Sequence, residues 1–153
     1  MTAPTLDHVG VVAHDLPALA AAYERLGFTL TPRARYADGR IGNRCGMLRG
    51  SYIELLAVVD PNARSVTLER FLARYAGVHI LAFGMADEQS AMERLHRAGI
   101  QQATLSRSMR PLDDADPGGR TAEFVVIQTP EQPEGRFNLV RHLTPDVLWQ
   151  EPA

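Results

Sequence analysis

The stretch Leu6–Phe28, LDHVGVVAHDLPALAAAYERLGF, sets the plan of the chain. Its opening part, HVGVVA, is short and rich in β-branched residues, the composition of a strand. The remainder predicts a helix: Asp15 is placed to cap it, Pro17 suits its first turn and Gly27 stops it. Leu16, Leu19, Ala20, Tyr23 and Leu26 recur at helical spacing and give the helix one apolar stripe. One residue interrupts the apolar character of the strand, and it is a histidine, His8.

Three further strands follow. FTLTPRARY, GNRCGMLRG and SYIELLAVVD each carry strand character, with Gly50 marking a turn between the last two. The first 60 residues therefore read β-α-β-β-β. The same order then recurs. VHILAFGMA is a strand, DEQSAMERLHRAGI a helix ending at Gly99, and ATLSRSMR and TAEFVVIQT are strands flanking the turn-rich loop PLDDADPGG. GRFNLVRHL closes the set, and ERLGF lines up with HRAGI, so one plan is used twice. Between the copies, PNARSVTLERFLARYAG predicts a connecting helix with Leu68, Phe71, Leu72 and Tyr75 at helical spacing and Gly77 as its stop. The boundaries are module one at about 5–60, the connecting helix at about 62–76, module two at about 78–143 and a tail at 144–153. All belong to one α+β domain, since 153 residues suit a single core.

Composition narrows the function classes. A net charge of −2 gives no electrostatic footprint for nucleic acid or an anionic membrane. No apolar run approaches the roughly 20 residues of a membrane span. The N-terminus lacks a basic region followed by an apolar stretch, and Cys45 is the single cysteine; both point to a cytoplasmic protein. Cys45 has no activating neighbour in sequence and reads as a small buried hydrophobe. No phosphate loop, nucleophile elbow or dinucleotide fingerprint is present.

Strand alternation singles out two residues. His8, Gly10 and Val12 share one face of the first strand, and Tyr52, Glu54 and Leu56 share one face of the fourth. Glu54 is a lone carboxylate among Ile53, Leu55 and Leu56. Burying it ionised requires a metal, an arginine or several hydrogen-bond donors. The residues leave these open: a metal shared with His8, a His8–Glu54 hydrogen bond, or an ion pair with Arg44 or Arg49.

Two β-α-β-β-β modules carrying LDHVGVVAHDLPALAAAYERLGF, GNRCGMLRGSYIELLAV and the tail RHLTPDVLWQEP resemble the vicinal oxygen chelate superfamily, most closely its glyoxalase-like branch. The resemblance implies paired modules whose curved sheets enclose a cleft for a small organic substrate. It also implies divalent-metal ligands on the first and last strands of each module, a lyase, isomerase or dioxygenase reaction, and a homodimer. His8 falls on the first ligand place and Glu54, also the catalytic candidate, on the second. His79 lies near the third, but His8 precedes Asp15 by seven residues and His79 precedes Asp87 by eight, so strict counting puts Ile80 there. A bulge before the helix would restore His79. Asn138, a poor ligand, falls on the fourth. The implied set is His8, Glu54 and His79 holding Zn, Ni, Fe or Mn. The superfamily also contains metal-free proteins that only bind or sequester a compound, and Asn138 together with the offset at His79 keeps that alternative open. Candidate substrate contacts are Asn43 and Arg44 in the GNR motif, Tyr52 on the face of Glu54, and Asn138. Arg33, Arg35, Arg40, Arg107 and Arg110 read as solvated edge charges or as holders of an anionic substrate. Trp149 packs the tail on the body or walls the pocket.

Overall fold

Each half of the chain opens with a strand and a helix fastened by the same device. Asp15 accepts a hydrogen bond from the Ala18 amide at 2.9 Å, and Asp87 accepts one from the Ser90 amide at 2.7 Å. At the other ends Gly27 and Gly99 take φ of 96° and 85°, which side chains with a Cβ rarely adopt. The computed structural model describes residues 4–116 and 118–149. Module one comprises β1 (Leu6–Val12), α1 (Leu16–Arg25), β2 (Ala34–Arg35), β3 (Ile41–Leu48) and β4 (Ser51–Val58). After α2 (Val66–Leu72), module two comprises β5 (Gly77–Gly84), α3 (Glu88–Arg97), β6 (Thr104–Pro111), β7 (Thr121–Gln128) and β8 (Arg136–His142), followed by the short α4 (Pro145–Leu148).

The described strands form one curved, nearly closed sheet in the order β2-β3-β4-β1-β5-β8-β7-β6. In each module the first strand runs parallel to the last, β1 with β4 and β5 with β8, because the helix returns the chain to the same end. The modules join through β1 and β5, which are antiparallel. The two free edges come together at Asp114, whose amide donates to the Arg33 carbonyl at 2.9 Å. Its carboxylate accepts from Arg33 Nε at 2.8 Å and Arg35 Nε at 3.0 Å.

One face of the sheet packs on the helices. Val11, Leu55 and Ala57 bury against Leu16 and Ala20 of α1, and Ile127 against Ala91 of α3. The opposite face turns inward and lines a cleft. Leu68 and Phe71 of α2 pack with Val12 and Leu56 at one end of that cleft, and Ala82, Val126 and Val140 form an apolar wall in module two. Two elements are shorter than predicted. Pro32 has no amide to donate, and FTLTPRARY contributes only β2 and a single bridge from Leu30 to Gly46. The connecting helix is helical only over Val66–Leu72.

The seam leaves no room at Gly10, which pairs with Ile80 across it. A Cβ on Gly10 would lie 2.8 Å from Ile80 Cβ, an atom fixed to the backbone of β5. Gly10→Ala is expected to lower the unfolding free energy by about 1–3 kcal/mol, the range for overpacking a well-filled site. Urea denaturation of the two proteins checks this.

Candidate active site

The cleft has a volume of about 440 Å³ and is open to solvent. Apolar side chains form much of its lining, including Leu56, Ile80, Phe124, Val126 and Val140. Polar groups gather on the β1–β4 floor and on β6 opposite.

Glu54 is the floor's central group. It is only 4% exposed. Its Oε1 accepts from the Tyr36 hydroxyl and from Asn43 Nδ2, each at 2.6 Å. Two strong donors to one oxygen allow the carboxylate to stay buried without a cation against it. Oε2 is left facing His8 Nε2 at 3.7 Å. Burial, and then the charge of Glu54, push the Tyr36 hydroxyl well above the usual tyrosine range, so it remains a donor at neutral pH.

His8 is fixed from two sides. Its ring stacks on Tyr52 with centroids 4.6 Å apart. Its Nδ1 lies 2.7 Å from Asp7 Oδ1, and Asp7 Oδ2 lies 2.8 Å from His142 Nε2. Burial raises the Asp7 pKa, but the bonds to His142 and His8 outweigh it and hold the carboxyl at about 2. Asp7 is therefore ionised at neutral pH and only accepts, so His8 carries its hydrogen on Nδ1 and His142 on Nε2. Trp149 meets both Tyr52 and His142 edge-on at 5.7 and 6.0 Å, which places it behind this cluster.

Arg110 reaches from β6 to Cys45 of β3, beside the strand position of Glu54. It is 5% exposed, and among the described residues its guanidinium makes one hydrogen bond, a 3.7 Å contact from an Nη to Cys45 Sγ. Burial pushes the Cys45 thiol up to about 12, so it is neutral and unreactive. Burial alone lowers the Arg110 pKa, but the negative charge of nearby groups, at neutral pH that of Glu54, outweighs it and raises it, keeping the guanidinium charged. Among the described residues no carboxylate lies within salt-bridge distance of it.

Of the residues singled out in the sequence, His8, Glu54, Tyr52 and Asn138 line the cleft. Asn43, 1% exposed, lies beneath Glu54 and holds it rather than facing the cavity. Arg44 points the other way, with Nε on the Thr31 carbonyl and Nη1 2.9 Å from Glu24 of α1, so it corrects the expected substrate contact. His79 is a second correction. The expected bulge exists, since Gly10 pairs with Ile80 and Val11 with Val78, leaving His79 between them. It does not bring His79 into the cleft. The ring is sandwiched between Phe71 and Tyr75 at 4.8 and 4.1 Å, Nε2 is 2.8 Å from the Tyr75 carbonyl, and Ile80 takes the cleft position. Asp7, Tyr36 and the bridge from His142 to Asp7 have no signal in the sequence, whereas Arg110, open there between an edge charge and a holder of an anionic substrate, lines the cleft. The period-two run Ser106, Ser108, Arg110 is the signal for Arg110, because all three line the cleft.

These positions also test the metal that the resemblance implies. A catalytic metal usually takes three protein ligands and an open position. The cleft offers His8 Nε2 and Glu54 Oε2, with the neutral amide of Asn138 beyond, and the Arg110 guanidinium adds a positive charge to the same cavity. Among the described residues no group of three or more His, Cys, Asp or Glu is placed to hold a metal ion. The donor set does not fit a three-ligand site.

A family model described as Glyoxalase-like domain matches residues 6–153. No curated protein sequence is detectably similar to the chain. Several solved structures share the fold. A methylmalonyl-CoA epimerase in complex with methylmalonyl-CoA and NH4+ is 20% identical, with a TM-score of 0.65 over 91% of this chain and 94% of that one. Methylmalonyl-CoA epimerase from Mycobacterium tuberculosis is 26% identical, with a TM-score of 0.59 over 88% of this chain and 85% of that one. A hypothetical protein from Bacillus halodurans is 17% identical, with a TM-score of 0.60 over 99% of both chains.

The Asp7 bridge makes stability depend on pH. Its carboxyl falls from 3.8 to about 2 on folding, so its contribution is full above pH 4 and is lost as pH falls towards 2. Between pH 6 and pH 2 the native protein should lose on the order of 2 kcal/mol more unfolding free energy than Asp7→Asn does. Urea melts of both proteins at the two pH values check it.

Proposed function

The chain belongs to the glyoxalase-like domain family, and on that premise we propose that its cleft binds a small organic substrate and moves a proton at a carbon next to a carbonyl group. The observation that carries this is the pair His8 Nε2 and Glu54 Oε2, 3.7 Å apart and both turned to the cleft. Each is held by its other atoms, so what remains free on each is one site for a proton. Glu54 Oε2 takes the proton from carbon, and the bonding pair delocalises onto the carbonyl oxygen as an enolate. His8 Nε2, with Asp7 behind it to stabilise an imidazolium, accepts or returns that proton. The amide groups of Asn138 and Gln128 and the Arg110 guanidinium line the same cavity and are the groups available to the developing oxyanion. Epimerases are prominent among the structural neighbours, and epimerisation involves breaking and remaking a bond at a stereocentre. No step in this chemistry requires a bound metal.

Solvent-deuterium exchange tests the reaction without knowledge of the product. The protein is incubated in D2O with methylmalonyl-CoA, 2-oxobutanoate or dihydroxyacetone, and exchange at carbon is followed by NMR. Exchange of at least one compound above the buffer rate is expected, unchanged by EDTA and reduced about 10²–10⁴-fold in Glu54→Gln. A compound that binds, read as a thermal shift, with no exchange of any of the three makes the cleft a binding site only. Exchange that appears only on adding Zn, Ni, Fe or Mn overturns the metal-free pair.

A further inference from the structure

We propose that Arg110 is the seat of a carboxylate on the ligand, so that the cleft selects small organic acids with an apolar body. This deepens the reading of the cleft as a substrate site and names the class of compound it takes. A guanidinium carries five donor hydrogens in a planar fork matched to a carboxylate. Arg110 is 5% exposed, yet among the described residues its guanidinium meets only a neutral thiol, at 3.7 Å. Leaving a buried cation without a partner is costly, and a structure that does so is set up for an anion to arrive. The other cleft-facing cation, Arg136, is placed differently, its guanidinium lying 5.6 Å over the Phe71 ring at the α2 end.

The location fits the chemistry. Cys45, which Arg110 touches, pairs directly with Glu54 across β3 and β4. A carboxylate on Arg110 is therefore held beside the strand position of Glu54, and the carbon chain attached to it extends over the proton-handling floor. The remaining walls, Phe124, Val126, Val140 and Leu56, are apolar and suit a hydrocarbon or aromatic body. A phosphate or phosphonate suits the site less well. Arg136 lies at the α2 end, so one guanidinium serves this seat; a carboxylate brings it one negative charge, whereas a dianion brings a second beside the Glu54 carboxylate.

Matched probes test this on the whole protein by isothermal titration calorimetry: phenylacetate, its neutral isostere phenylacetamide, and phenylphosphonate. Phenylacetate is expected to bind at least tenfold tighter than phenylacetamide, and tighter than phenylphosphonate. Arg110→Gln is expected to remove the preference over the amide, while Arg110→Lys reduces it without changing its sign. In native protein the Arg110 Nε–H resonance, assigned from its loss in Arg110→Lys, is expected to shift on adding phenylacetate and not on adding the amide, which keeps the test valid if Arg110→Gln does not fold. Equal binding of acid and amide, a preference that survives in Arg110→Gln, an unmoved Arg110 resonance, or tighter binding of phenylphosphonate overturns the proposal. Glu54→Gln, which stops deuterium exchange, is expected to keep the carboxylate preference, so failure of the proton-transfer chemistry and failure of the carboxylate seat give different results.

Discussion

The antiparallel seam between β1 and β5 is the constraint on which the rest of the molecule depends. Each module by itself is a half-sheet in which β1 or β5 is an edge strand, with β2 or β6 at the other edge. Pairing those edges buries both, turns the two half-sheets into one curved surface and makes the cleft that neither half has. The seam is tight where Gly10 meets Ile80 and irregular at His79, and both features shape the floor. Ile80 fills the place that a side chain at Gly10 would take between His8 and Val12. The skipped residue turns His79 away onto the aromatic rings of Phe71 and Tyr75.

The cleft is defined by three buried charges that are satisfied in different ways. Asp7 is shared by two imidazoles and is the most fully engaged. Glu54 is held by neutral donors on one oxygen only, so the other keeps its capacity to exchange a proton. Among the described residues Arg110 has the Cys45 contact alone, which leaves most of its donors unengaged. Rigid support on one side and unmet capacity on the other is what a preorganised site requires, because the groups that act need not reorganise when substrate arrives. Tyr36 and Asn43 hold Glu54, and Asp7, itself bonded to His142, holds His8.

Regular parts of the chain declare themselves in the sequence, and irregular parts do not. The helices follow from their caps and apolar spacing, and the glyoxalase-like plan follows from their repetition. His8 and Glu54 are legible because β1 and β4 alternate cleanly around them. Asp7 is not, since the register against β5 shifts between Leu6 and His8 and frees a neighbouring side chain to bond back to the His8 ring. His79 shows the same limit: counting residues detects the need for a bulge, but which way the bulge turns the ring is decided by tertiary stacking. The arginines are a question of partners. Arg44 finds Glu24 and Arg35 finds Asp114, far away in sequence, whereas Arg110 finds neither, and nothing local distinguishes them. Tyr36 reaches Glu54 from beyond a two-residue strand, where no periodicity exists to read.

His8 turns Nε2 towards Glu54 while Asp7 holds its other nitrogen. Side-chain ¹⁵N NMR of the imidazoles reports this directly. At neutral pH the account predicts a His8 Nδ1 that carries its hydrogen, with a resonance unmoved by Glu54→Gln, and an Nε2 resonance that the same substitution shifts. A His8 protonated on Nε2 with a bare Nδ1, or an Nε2 signal indifferent to the loss of the Glu54 carboxylate, would contradict it.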